Sequence, residues 1–87
     1  MFETKFSKQP EKFLSKCEEE LFNRIKKRLN VLKVNSVPSD AKFIGRDKGD
    51  KIFRIRIGDF RVLYKIRESK KVILITKIDK RERVYLK

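Results

Sequence analysis

The sequence contains no histidine and a single cysteine. Without histidine the chain lacks the one side chain whose unperturbed pKa lies near neutrality, which excludes Ser-His-Asp chemistry, HExxH metal sites and paired-histidine nucleases. One thiol, Cys17, excludes an internal disulfide and any zinc cluster built from several cysteines, and its place on an apolar helical stripe gives it a packing role. No stretch approaches the ~18 consecutive apolar residues of a membrane span, and Met1 to Pro10 lacks the apolar run of a signal peptide. A soluble, cytoplasmic protein with no membrane partner is expected. A chain of 87 residues allows one domain, 1–87, with a small core. It buries only roughly 60 to 65% of its unfolded surface, which argues against a deep enclosed cofactor cavity and for a site open on the surface. No cofactor is expected, and the chemistry must come from Arg, Lys, Tyr or carboxylates.

Positive charge is abundant: 25 Lys plus Arg against 12 Asp plus Glu give a net charge of +13. Residues 1–40 carry 9 basic and 6 acidic side chains, net +3, whereas residues 41–87 carry 16 and 6, net +10. The second half therefore generates the electropositive field, and a polyanion is the default partner, with RNA, DNA and anionic membrane all compatible. A lysine-rich surface adapted to high temperature is the alternative source of such a composition.

Phe2, Thr4 and Phe6 alternate with Glu3 and Lys5, a short strand, after which Ser7 offers a helix N-cap and Pro10 fits a first helical turn. Ser15-Lys16-Cys17-Glu18 reads as a capping box, so two helices are predicted rather than one. Leu14, Cys17, Leu21, Ile25, Leu29 and Leu32 form one apolar stripe at helical period, with Lys26, Lys27 and Arg28 turned mainly to solvent. Asn35 to Asp40 closes the helical half. From residue 42 the period changes to two: Ile52 to Ile57 alternates, Gly58-Asp59 is a two-residue hairpin signal, and Phe60 to Ile66 alternates again. After a turn at Glu68-Ser69-Lys70, Val72 to Ile78 reads as a central strand covered on both faces, and Arg81 to Tyr85 returns to alternation. The predicted fold is α+β, a curled antiparallel sheet packed against an N-terminal helical hairpin in the order β-α-α-β-β-β.

A Gly58-Asp59 loop sets the register: Ile57 faces Phe60, Arg56 faces Arg61, Ile55 faces Val62, Arg54 faces Leu63 and Phe53 faces Tyr64. Phe53, Ile55, Ile57, Phe60, Val62 and Tyr64 then share the core side, and Arg54, Arg56, Arg61 and Lys65 share the other with Leu63. Like charges directly opposite one another destabilise a sheet, so stability alone does not favour Arg56 against Arg61. Two explanations stand: an anion bound between them, or a carboxylate neighbour such as Asp79 or Glu82. In the tail, Arg81, Arg83 and Tyr85 recur with period two. Arginine forks suit phosphate oxygens and an aromatic ring gives a base a stacking platform, while Tyr85 could equally cap the core.

Phe53-Arg54-Ile55-Arg56-Ile57, Gly58-Asp59-Phe60-Arg61-Val62-Leu63-Tyr64 and Lys80-Arg81-Glu82-Arg83-Val84-Tyr85 together resemble the RelE toxins of the RelE/ParE superfamily, as does the opening Phe6-Ser7-Lys8 with Glu11 to Leu14. The resemblance implies a RelE-like toxin that cuts messenger RNA in the ribosomal A site without a metal, by attack of a ribose 2′-hydroxyl on the adjacent phosphate. It implies a RelB-like antitoxin as partner, in a complex that could be a heterotetramer, besides ribosome and message. By position, Arg61 and Arg81 match the family's phosphate and leaving-group arginines and Tyr85 its stacking or base tyrosine. Arg54 and Arg56 stand where well-known members carry lysines; both stay protonated and stabilise charge without abstracting a proton. Lys65, Lys80 and Arg83 join Arg54 and Arg56 as expected RNA contacts. The alternatives are a ParE-like inhibitor of DNA gyrase without nuclease activity, against which Arg81 and Tyr85 argue, and a plain RNA-binding module.

Overall fold

The computed structural model describes residues 1–80. Strand β1 (Glu3–Phe6) leads into helices α1 (Lys8–Lys16) and α2 (Glu19–Val34), followed by β2 (Lys42–Asp47), β3 (Asp50–Ile57), β4 (Phe60–Arg67), a one-turn 3-10 helix (Glu68–Lys70) and β5 (Val72–Lys80). The five strands form one sheet in the order β1-β5-β4-β3-β2. The α+β class is as the sequence predicts. One difference is that β1 pairs with β5 in parallel, Glu3 opposite Val72 through Phe6 opposite Ile75, so the sheet is mixed. A parallel neighbour needs a long crossover, and the helical pair with the β2–β4 meander provides it. A second is β2, a strand beyond the three expected after the helices. It joins β3 through Lys48 and Gly49, both at positive φ (53° and 90°), the geometry of a two-residue primed turn.

The helices divide where predicted but by a different device. Cys17 and Glu18 are both extended, which ends α1 and starts α2. The expected capping box is absent: the Ser15 hydroxyl donates back to the Lys12 carbonyl inside α1 (2.7 Å), and no side chain caps α2. Glu18, Glu19 and Glu20 instead gather at the positive helix start. Ser7 is the N-cap residue of α1, yet its hydroxyl makes no capping bond; its carbonyl accepts the Glu11 N–H at 3.2 Å.

Ile25, Leu29 and Leu32 of α2 bury the stripe against Phe53, Ile55, Ile57, Val62, Tyr64, Ile66, Ile73, Ile75 and Ile78, with Leu14 and Leu21 packed at the margin. Phe53 stacks on Tyr64 (5.9 Å between centroids), whose hydroxyl donates to the Ser36 carbonyl at 2.7 Å and so ties the segment after α2 to the core. Gln9 extends the β1–β5 seam: its amide donates to the Ile78 carbonyl (2.8 Å) and accepts the Ile78 N–H (2.9 Å). Among the described residues no helix is long and apolar enough to cross a membrane. With the helices on one side, the other side of the sheet is the outer face.

Candidate functional site

The β3–β4 hairpin has the predicted register throughout, Ile57 opposite Phe60, Arg56 opposite Arg61, Arg54 opposite Leu63 and Phe53 opposite Tyr64. Gly58, at φ +59°, takes the first turn position, which a side chain would strain. Alternation sends Phe53, Ile55 and Ile57 into the core and leaves Arg54 and Arg56 on the outer face.

Two rows of side chains cross this face at the Gly58 end. One runs Arg56, Arg61, Asp79 across β3, β4 and β5; the next runs Lys42, Arg54, Leu63, Lys77 across β2 to β5. Direct cross-strand neighbours lie roughly 5 Å apart, so the cations of these rows superpose their fields, with Asp79 the one carboxylate in either row. The paired Arg56 and Arg61 lie in different surroundings. Arg56 is exposed, whereas Arg61 is only 5% exposed and its Nη1 donates to the carbonyls of Gly58 and Phe60, both at 3.2 Å. Arg61 thus holds the turn while its charge stays between Arg56 and Asp79.

The other predicted residues are distributed as follows. Lys65 lies nearer the Lys48-Gly49 end, where its ammonium bonds the Asp47 carboxylate, and the neighbouring Arg67 Nε donates to Asp50 at 3.1 Å. The Lys65 hydrogen bond and charge hold the Asp47 carboxyl below the usual carboxylate range. Lys80, exposed, ends β5 opposite Phe60. Arg81, Arg83 and Tyr85 lie outside the described residues, as does Glu82. Tyr64, the other tyrosine, is unsuited to proton transfer: burial pushes its phenol well above the ordinary tyrosine range, and its hydroxyl is committed to Ser36.

Sequence reasoning missed Lys42 and Lys77, because an apolar reading of Val72 to Ile78 hides the alternation that sends Lys77 outward. It also placed Arg28 in solvent. Arg28 Nη2 instead grips both oxygens of Asp40 (2.8 and 3.0 Å) and its Nη1 donates to the Arg56 carbonyl (3.0 Å), fastening α2 to β3.

A helical hairpin covering one face of a small sheet, with arginines gathered on the open face beside a tight turn, defines a compact α+β protein with a cationic outer face. Residues 2–85 match the family model described as the ParE toxin of the type II toxin-antitoxin system parDE. A Methanocaldococcus jannaschii protein designated as a RelE1 toxin is 40% identical over 63 residues, 71% of this chain and 70% of that protein. A chain of the archaeal RelE-RelB complex from Pyrococcus horikoshii OT3 superposes with a TM-score of 0.83 at 28% identity, covering 94% of this chain and 97% of that one. A chain of the intact E. coli RelBE toxin-antitoxin complex shares the fold, with a TM-score of 0.76 at 19% identity over 95% of this chain and all of that one (100%). The chain belongs to the RelE/ParE superfamily of type II toxins.

Proposed function

We propose that this RelE-like toxin is a metal-independent endoribonuclease that cleaves messenger RNA in the ribosomal A site and thereby stops translation in the cytoplasm. The observation that carries the reading is the gathering of Arg54, Arg56 and Arg61 on the open face at the Gly58 end, with β5 ending at Lys80 opposite Phe60 and Arg81 next in sequence. The nucleophile, a ribose 2′-hydroxyl, belongs to the substrate. It attacks the adjacent phosphorus, the bond to the 5′-oxygen breaks, and that oxygen takes a proton from solvent, so the products are a 2′,3′-cyclic phosphate and a 5′-hydroxyl. The protein's task is in-line positioning, charge stabilisation and proton transfer. Arg61 and Arg81 neutralise the developing charge, and Arg54 and Arg56 hold flanking phosphates. Tyr85 takes the 2′-hydroxyl proton while stacking on a base. Lys80 and Arg83 add backbone contacts. A RelB-like antitoxin with an acidic segment would mask this field, in keeping with the RelE-RelB and RelBE complexes of the structural relatives.

The match to a ParE family model favours a second reading, inhibition of DNA gyrase through the same fold. One experiment separates the two: purified protein is added to programmed ribosomes with 5′-hydroxyl ends mapped, and in parallel to gyrase with supercoiling measured. Cleavage in the A-site codon with gyrase untouched is expected. Gyrase inhibition with intact message would overturn the nuclease reading, and tight RNA binding with neither effect would reduce the protein to a binding module.

A further inference from the structure

Among the described residues β2 is an edge strand, paired with β3 alone, and it leaves Phe43 51% and Ile44 40% exposed. Such an edge presents a row of backbone N–H and C=O groups that a further strand can pair with. The β2–β3 register assigns its side chains to faces. Lys42 opposite Arg54, Gly45 opposite Ile52 and Asp47 opposite Asp50 belong to the outer face, whereas Phe43 opposite Phe53 and Arg46 opposite Lys51 belong to the helix side. Ile44 is the extra residue of the bulge, set beside Phe43. With Ile44 left out of the pairing, the strand is complementary to itself. Two antiparallel copies related by a two-fold axis through Gly45 place Gly45 opposite Gly45, Phe43 opposite Arg46 and Lys42 opposite Asp47, and both members of every pair lie on the same face.

We propose that β2 is a self-pairing edge, through which two copies of this chain join their sheets. Charge complementarity selects a second copy as the occupant. Within its own sheet Lys42 stands directly opposite Arg54, a like-charge pair, and Asp47 of the second copy relieves it. Asp47 bonds Lys65 through Oδ2, and its side chain is 44% exposed, so the carboxylate remains accessible to a second cation. On the other face the Phe43 ring is already braced edge-on by Phe53, with centroids 5.6 Å apart, and gives Arg46 of the second copy a platform for a cation–π contact. The bulge and the charged ends, which ordinarily keep an edge from pairing, here admit this one register: a slip by one residue would set Phe43 opposite Gly45 or Asp47, on the wrong face. The inference is independent of the nuclease reading above.

The test is sedimentation equilibrium of the full chain at rising concentration, in salt sufficient to screen its net charge of +13. The parent, Lys42→Asp, Asp47→Lys, an equimolar mixture of those two variants, and Val31→Lys are compared, with thermal melting to show that each is folded. The parent should form a dimer. Each β2 variant alone sets like charges across both ends of the junction, so its dimer should dissociate about tenfold more readily. The mixture sets opposite charges at both ends and should recover dimerisation close to the parent's, an outcome that general damage to the strand would not give. Val31, 43% exposed on α2, lies off the β2 edge, and its variant should dimerise as the parent does. A parent that stays monomeric throughout would overturn the proposal. So would β2 variants that dimerise like the parent, a mixture no better than its components, or a dimer lost in Val31→Lys, which would move the contact to the helix.

Discussion

At the Lys48-Gly49 end of the outer sheet face, Lys65 and Arg67 each meet a carboxylate, Asp47 and Asp50, supplied by the residues that flank the turn. At the Gly58 end the turn is flanked by Ile57 and Phe60, and the rows beyond it hold Lys42, Arg54, Arg56, Arg61 and Lys77 with Asp79. The same alternating strands thus produce a locally neutral end and a cationic end. What differs is both the acids beside each turn and the number of bases: five strand cations stand with Asp79, and with Asp59 in the turn, at the Gly58 end, whereas at the other end two strand cations are matched one to one by Asp47 and Asp50. Self-repulsion at the Gly58 end is tolerated because Arg61 is folded onto the turn carbonyls and Arg56 stays in water.

Arg61→Ala is the sharpest way to break the comparison. Under the proposed nuclease reading, in which Arg61 neutralises charge at the reacting phosphate, its loss should lower single-turnover cleavage by about 10² to 10³. The same change strips the Gly58 and Phe60 carbonyls of a donor, so stability should fall by roughly 1 to 2 kcal/mol, measurable by denaturant titration. A rate loss fully explained by the unfolded fraction would make Arg61 structural only. Next in size is the core beneath both ends. Ile55→Ala removes a fully buried side chain (0% exposed) and should cost about 2 to 4 kcal/mol, with cleavage per folded molecule unchanged. Arg28→Ala unfastens α2 from β3 and from Asp40; the pair is partly exposed, so a loss of about 1 kcal/mol is expected in the same titration.

The smallest effect belongs to the neutral end. The Asp47 carboxyl is held below its unperturbed value of 3.8 by Lys65, so its contribution to stability is present above that value and lost as pH falls through the lower, folded-state pKa. Asp47→Asn should therefore be slightly less stable near neutrality and converge with the parent in acid, read from paired melting curves across pH. Curves that keep their separation at low pH would show that the Lys65 pairing is not the cause.

Much of this comparison is legible in the sequence, for physical reasons. Gly58-Asp59 between two alternating runs leaves one register, and a one-residue slip would move Ile55 and Val62 to the solvent face, so the arginine rows follow directly. The Lys48-Gly49 turn is harder to read because β2 carries a bulge between Phe43 and Gly45, which sets Phe43 and Ile44 side by side and spoils the alternation. Asp47-Lys48-Gly49-Asp50 is nevertheless a usable signal. Burial of Arg61 and the grip of Arg28 on Asp40 depend on how far long side chains reach across elements, which periodicity does not encode. The parallel β1–β5 pairing depends on topology in the same way.

The central claim is that the cationic end does the chemistry and the neutral end does not. Its most direct test is single-turnover cleavage of message on programmed ribosomes by Arg54→Gln/Arg56→Gln beside Lys65→Gln/Arg67→Gln, two variants of equal charge change. The account predicts a fall of about 10² for the first, the scale of lost transition-state charge stabilisation, and a rate within about threefold of the parent for the second. Equal losses in the two variants would contradict it, because they would show that only net charge matters.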